Sequence, residues 1–285
     1  MSRTGELNLI GGRPHEESPW ETFHENSKLR RYFSALPTEE VLEQVKKLHE
    51  SLPFEGYPIN KLPQALVHLN VPLDEAIVAR SSGRDMIPSK VSLKKLATLL
   101  HYAYGIRRTD TWTSYPRSLR VVPSGGGLYP LEIFFHCAQV AGLQPGLYHY
   151  NPILHHCRFL RSGDETDRLA QATVYPAFMS KANVIIFVSA LFQRSTFKYG
   201  DRGYRFTLLE AGHVAQNINL VSCALGLASV NIGGYFDAEI DEFLDIDGLL
   251  HSTVYMIAVG KRNAGRPRQR PTISPDVCLK GCRHE

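Results

Sequence analysis

Apolar residues recur at helical spacing in some stretches of this chain and run almost unbroken in others. Val41, Leu42, Val45 and Leu48 form one stripe, which predicts a helix with Thr38 as its N-cap, stopped before Pro53. Residues 74–79 read as a short helix. Ser92 caps a further helix that carries Leu93, Leu96, Leu99 and Leu100 and closes at Gly105. The longest helical pattern spans residues 204–225 and ends at Gly226. Residues 131–138 and 183–191 are apolar enough to be central strands, and residues 254–260 make one more buried strand. Residues 146–150 and 157–160 predict a hairpin between them. Hairpins mixed with helices, without a regular βαβ alternation, point to an α+β fold.

The flanks differ from this middle. Residues 1–25 are polar, rich in Gly, Pro and Glu, and are expected to fray. Prolines 53, 58, 63 and 72 predict an extended linker. The chain therefore divides into an N-terminal helical and extended appendage (1–72), a main domain (73–270) and a tail (271–285). The appendage is too small to be a catalytic core, and its expected role is to cover the main domain or help hold a partner.

Composition narrows the class. With 285 residues, 43% of them apolar, the chain can bury a full core. The net charge of +4 is mild, and much of the excess sits in Lys261, Arg262, Arg266, Arg268 and Arg270. A local anion site accounts for that better than nucleic acid does. No apolar run approaches the ~20 residues of a bilayer span, and there is no signal-peptide core, so the expected place is the cytoplasm, off the membrane. The five cysteines are odd in number and irregular in spacing, unlike a secreted disulfide framework. Cys137, Cys157 and Cys223 fall in apolar patterns and read as packing residues. Cys278, Cys282 and His284 lack a second ligand pair, so no metal site is expected.

Five motifs carry candidate chemistry. Phe197-Lys198-Tyr199-Gly200 puts a cation beside a phenol. A nearby ammonium favours tyrosinate, which makes a base near neutral pH where a lone phenol of pKa ~10 would not be one. Taken alone, a surface lysine beside a half-buried tyrosine is the commoner arrangement. Arg80-Ser81-Ser82-Gly83-Arg84 offers forked donors, hydroxyls and a permissive turn to a phosphate. Pro123-Ser124-Gly125-Gly126-Gly127-Leu128-Tyr129-Pro130 reads as a rigid loop, able to lie flat against a ligand or another chain. Past the long helix, Gly233 and Gly234 end a strand with backbone open to a planar ring. Arg268 and Arg270 could return to the phosphate, or be an ordinary solvated run. No G-x-G-x-x-G opens a βαβ unit, which argues against a Rossmann site. His213 reads as a packing or interface histidine, and Tyr129 as a buried aromatic.

The order R-S-S-x-R, P-S-G-G-G-L-Y-P and A-L-G-L-x-x-V-x-I-G-G resembles the nitroreductase fold. P-S-G-G-x-L-Y-P together with F-K-Y-G-D-R-G-Y-R-F resembles its SagB-type azoline oxidase branch. The resemblance covers about residues 73–270. It implies a central mixed β-sheet flanked by helices and an intertwined, FMN-dependent homodimer in which both chains touch each flavin. It further implies oxidation of thiazoline or oxazoline rings in a peptide to thiazole or oxazole. Carried over, Arg80, Ser81, Ser82 and Arg84 hold the phosphate and pyrimidine edge, with Arg268 and Arg270 assisting. Pro123, Ser124, Gly125, Gly126 and Gly127 come from the opposite subunit, Gly233 and Gly234 face the ring nitrogen, and Lys198 and Tyr199 take the proton. Where related nitroreductases carry an acid this chain has Gly233, and where they carry proline it has Asn231, so only backbone contacts transfer there. A substrate of this kind implies a cyclodehydratase, and a leader peptide or peptidyl carrier protein that presents it. Rival readings are an NAD(P)H-dependent nitro- or quinone reductase on the same fold, or a catalytically silent scaffold subunit.

Overall fold

A computed structural model describes residues 18–31, 36–111 and 117–263. Its centre is the strand Val184–Leu191, the apolar run that the sequence marks as buried. It pairs with Leu131–Cys137 on one side and His251–Arg262 on the other, Phe187 standing opposite Phe134 and Met256. Outward from Leu131–Cys137 lie Gly146–Asn151, His156–Ser162 and the short edge strand Ile59–Lys61; outward from His251–Arg262 lies Leu227–Ile232, with Met86–Ile87 pairing at its far end.

Alternation along the central strand feeds two cores. Val184, Ile186, Val188 and Ala190 face a cluster built with the helices Leu93–Tyr104 and Asp201–Ala224. Ile185 and Phe187 face a second cluster, with the helices Thr166–Gln171 and Asp237–Leu244. The α+β class is borne out, as are the hairpin and the long helix.

Four expectations need correction. Every named pairing in the large sheet is antiparallel, so the sheet is not mixed; among the described residues, parallel pairing is confined to Val91–Ser92 with Val140–Ala141 and to a Ser82–Ser229 bridge. Two of these pairings, of 146–151 with 131–137 and with 156–162, come from direct chain reversals, and the others join strands with helices between them in the chain. The frayed start contains the helix Pro19–Asn26, held because Phe23 packs edge-on against Tyr204 at 5.4 Å. Thr38 opens its helix as the first residue, and Pro37 is the N-cap. The proline-rich linker supplies the strand Ile59–Lys61, which covers one sheet edge.

Candidate active site

The central strand leads through Phe192 into the short helix Gln193–Tyr199, which carries Lys198 and Tyr199 on its last turn. Gly200 ends it in the left-handed region, φ 55°, and the long helix Asp201–Ala224 follows directly. Both candidate residues are half-buried, with the Lys198 ammonium 5.1 Å from the Tyr199 ring centre. The glycine loop lies against them. A Cβ on Gly126 would strike the Tyr199 hydroxyl and come within 3.2 Å of Lys198 Nζ, and one on Gly125 would reach 2.9 Å from the Phe206 ring. Gly126 and Gly127 have φ of 64° and 62°. Ser124 closes the loop at both ends: its carbonyl accepts from Gly127 N at 3.0 Å, and its hydroxyl oxygen accepts from Tyr129 N at 2.9 Å. Arg117 donates to the Gly126 carbonyl at 2.7 Å.

Two buried glutamates underlie this arrangement. Glu132, on the strand Leu131–Cys137, forms an ion pair with Arg194 at 2.7 Å, pairs with His149 Nε2 at 2.7 Å, and accepts from Leu52 N at 3.0 Å. Burial alone would raise its pKa, but Arg194 and then His149 outweigh burial and hold the carboxyl well below the usual range. Arg194 lies one turn before Lys198, so the pair pins the helix to the sheet. Glu210, on the long helix, accepts from the Tyr104 hydroxyl at 2.7 Å, and the Ser124 hydroxyl faces it. Burial dominates here and pushes the acid up to about 7.

The remaining candidates form a second group. Ser82 bridges to Ser229, and Gly83 N donates to the Ser229 carbonyl at 2.8 Å. A Cβ on Gly83 would meet that of Ala228 at 2.8 Å, which accounts for the glycine. Asn219 ties the strand to the long helix, accepting from Ser229 Oγ at 3.0 Å and donating to Asn231 at 3.1 Å. Arg80, Ser81, Ser82 and Arg84 are exposed, and Arg84 lies over the Phe178 ring at 5.8 Å. The space where a Gly233 Cβ would sit is open to 4 Å, while Gly234 packs against Val174 and accepts from its N–H at 3.0 Å. Exposed guanidinium groups, hydroxyls and an open glycine backbone suit a phosphate-bearing planar ligand.

The structure thus unites Lys198 and Tyr199 with Ser124, Gly125, Gly126 and Gly127, with the exposed Pro123 at the loop's base, and gathers residues 80–84 with the strand that ends at Gly233 and Gly234. Phe206 and Asn219, the helix residues that touch the two groups, are about 20 Å apart along the helix axis. Arg268, Arg270, Cys278, Cys282 and His284 lie outside the described residues. Cys137, Cys157 and Cys223 are buried, and no metal-binding cluster occurs among the described residues. Tyr129 is buried with its hydroxyl accepting from Arg120 N at 3.0 Å, and His213 is exposed on the outer face of the long helix. No helix of the described residues is long and apolar enough to cross a membrane. Sequence reasoning passed over Glu132, Arg194 and Glu210. An acid inside Leu131-Glu132-Ile133-Phe134-Phe135, a run read as fully buried, is itself a sign that a cation waits inside the fold.

Over residues 77–261 the chain matches the model of the Nitroreductase family. It is 36% identical over 176 residues to the nitroreductase-like protein MJ1384 of Methanocaldococcus jannaschii, covering 62% of this chain and 85% of that one. It is 28% identical over 194 residues to the trifolitoxin-processing protein TfxB of Rhizobium leguminosarum bv. trifolii, covering 65% of this chain but only about half, 52%, of that relative's length. The structure of the E. coli microcin synthetase McbBCD complex with truncated pro-MccB17 bound contains a chain of the same fold, with a TM-score of 0.54 at 22% identity, covering 86% of this chain and 92% of that one. A family match over well more than half the sequence, together with an α+β core that presents its glycine motifs at exposed positions, places the chain in the nitroreductase family.

Proposed function

We propose that this chain is an FMN-dependent dehydrogenase of the SagB type, which oxidises thiazoline or oxazoline rings in a peptide precursor to thiazole or oxazole. The observation that carries the reading is the contact between Gly126 and the Lys198–Tyr199 pair: two motifs more than 70 positions apart in sequence meet at one surface. The trifolitoxin processing named for the relative TfxB supports it.

Tyr199, with the Lys198 ammonium 5.1 Å from its ring centre, takes the proton from the ring α-carbon. Bound FMN would supply the two-electron acceptor for the hydride of the β-carbon, with dioxygen as the final oxidant, so that no nicotinamide would be needed. Arg80, Ser81, Ser82 and Arg84 hold its phosphate and pyrimidine edge, with Arg268 and Arg270 as further candidates, and Gly233 and Gly234 present backbone to its ring. The glycine loop closes the site from above, its missing side chains letting a flat ring lie against the backbone. The distance along the helix between the loop's contact and the Ser229 group supports a site completed by a second copy of the chain, with Pro123 to Gly127 and the Lys198–Tyr199 pair reaching the partner's Arg80–Gly233 group. An outer helix stripe of Tyr204, Leu208, Leu209 and Gly212, all exposed, supports the same pairing. The substrate reaches the site from a cyclodehydratase, on a leader peptide or a carrier protein.

The test is incubation of purified protein with an azoline peptide and measurement of the loss of two hydrogens per ring beside the flavin spectrum. Turnover in air without NAD(P)H supports the reading. Turnover of nitro or quinone compounds with NAD(P)H, and none of azolines, replaces it with a reductase. A colourless protein that takes up no FMN makes it a scaffold subunit.

A further inference from the structure

Glu132 and Glu210 are buried to the same degree, at 1% and 2% exposure, and both feel Arg120 and Arg194. Only Glu132 has an arginine at ion-pair distance; Glu210 makes no ion pair with the described residues. What it has is two hydroxyls. The Tyr104 oxygen accepts from Leu131 N at 3.2 Å, leaving its proton for Glu210. The Ser124 oxygen accepts from Tyr129 N, leaving its proton free in the same way. Ser124 is also the residue that closes the glycine loop, so the buried carboxyl meets the loop at its fastening.

We infer that Glu210 governs, by gaining or losing one proton, how firmly the glycine loop is seated against Lys198 and Tyr199: neutral, it lies beneath a closed loop, and ionised, it draws water in and loosens the loop. Two hydroxyls do not replace the hydration of a carboxylate in a dry site. Of the elements packed on Glu210, the helices Leu93–Tyr104 and Asp201–Ala224 and the strand beginning at Leu131 belong to the main core. The loop, with two left-handed glycines and an exposed tip at Gly126, is the element able to yield. The groups that set the balance are Tyr104, Ser124, Arg120 and Arg194, with Tyr129 at the loop's far end and Glu132 acting on Tyr104.

The direction follows from linkage. Burial gives Glu210 a higher proton affinity under the closed loop than in water, so closure is favoured while the acid is neutral and is lost as pH rises through about 7. The bearing of this on turnover rests on the function proposed above; the seating of the loop does not.

Hydrogen exchange of the loop amides in the purified full-length protein, without azoline substrate, tests it from pH 4 to 9. After correction for the chemical exchange rate, the opening constant of residues 125–128 is expected to rise by up to about tenfold per pH unit between a free glutamate's 4.5 and about 7, and to be flat above, where the acid is ionised with the loop open or closed. Glu210→Gln is expected to be flat throughout. Ser124→Ala, which removes a hydroxyl that favours the carboxylate, is expected to move the start of the plateau to higher pH. A pH-independent wild type, or a Glu210→Gln protein that keeps the rise, overturns the inference. If Glu210→Gln does not fold, Ser124→Ala decides, and an unmoved plateau overturns it. A pH-dependent loop in a protein inactive on azolines leaves this inference standing and sinks the proposed reaction, and a pH-independent loop with full turnover does the reverse.

Discussion

Gly126 has no room for a methyl group and a backbone that disfavours one. With φ at 64° and the Tyr199 hydroxyl in the way, Gly126→Ala is expected to displace the phenol and cut azole formation at least about tenfold. Lys198→Ala and Tyr199→Phe are each expected to cost about a hundredfold or more in azole formation, the double variant losing little beyond the worse single one, because the pair acts as a unit. Mass loss per ring beside the flavin spectrum reads both predictions. The two buried glutamates give stability opposite slopes with pH. The Glu132 acid is held below a free glutamate's 4.5, so its contribution is present above that value and lost as pH falls. The Glu210 acid is raised, so its contribution is lost as pH rises through about 7. In thermal melts across pH, Glu132→Gln should flatten the limb below pH 4.5 and Glu210→Gln the fall between 4.5 and about 7. Glu132→Gln should also cost about 3–5 kcal/mol at neutral pH, because Arg194 is left charged and buried without its partner. Lys198, Tyr199 and the three glycines stand out as candidates in the sequence, since residue type and spacing alone mark them. The glutamates do not, because what each one does depends on which arginine lies nearest, a matter of packing between strands far apart in the chain.

Among the elements, the segment before Leu73 does more than cover the core. Glu50 accepts from Ser118 N at 2.9 Å and from its hydroxyl at 3.0 Å, on the strand that leads to the glycine loop, and Leu52 reaches Glu132. Arg205 and Arg202 donate to Ser27 at the end of the first helix. Removing residues 1–54 should therefore lower the melting temperature and azole turnover together, while the sheet signal in circular dichroism persists. Helix and strand positions in the middle of the chain were readable because burial there imposes a clear period, 3.6 for Leu93, Leu96 and Leu100 and near-continuous apolarity for residues 184–191. The strand Ile59–Lys61 was not, because it is three residues long, set among prolines, and defined by its pairing with His156–Ser162 rather than by a pattern of its own. Sheet direction escaped for the same reason: apolar runs mark a strand as buried and say nothing of which way its neighbours point.

For the whole molecule, light scattering on the flavin-loaded protein should find a dimer, and dilution below its dissociation should abolish turnover; a fully active monomer would remove the shared site. The two groups of residues, one touching the long helix at Phe206 and the other at Asn219, also make a genetic statement. Arg84→Ala spoils one group and Lys198→Ala the other, so each variant alone builds only defective sites. When both are expressed in one cell, half the dimers are mixed, and in each of these one site collects both lesions while the other collects none. Two inactive genes should then restore about a quarter of wild-type activity, as expected where a twofold axis exchanges parts between sites. A protein whose sites were each built from a single chain would show no such rescue.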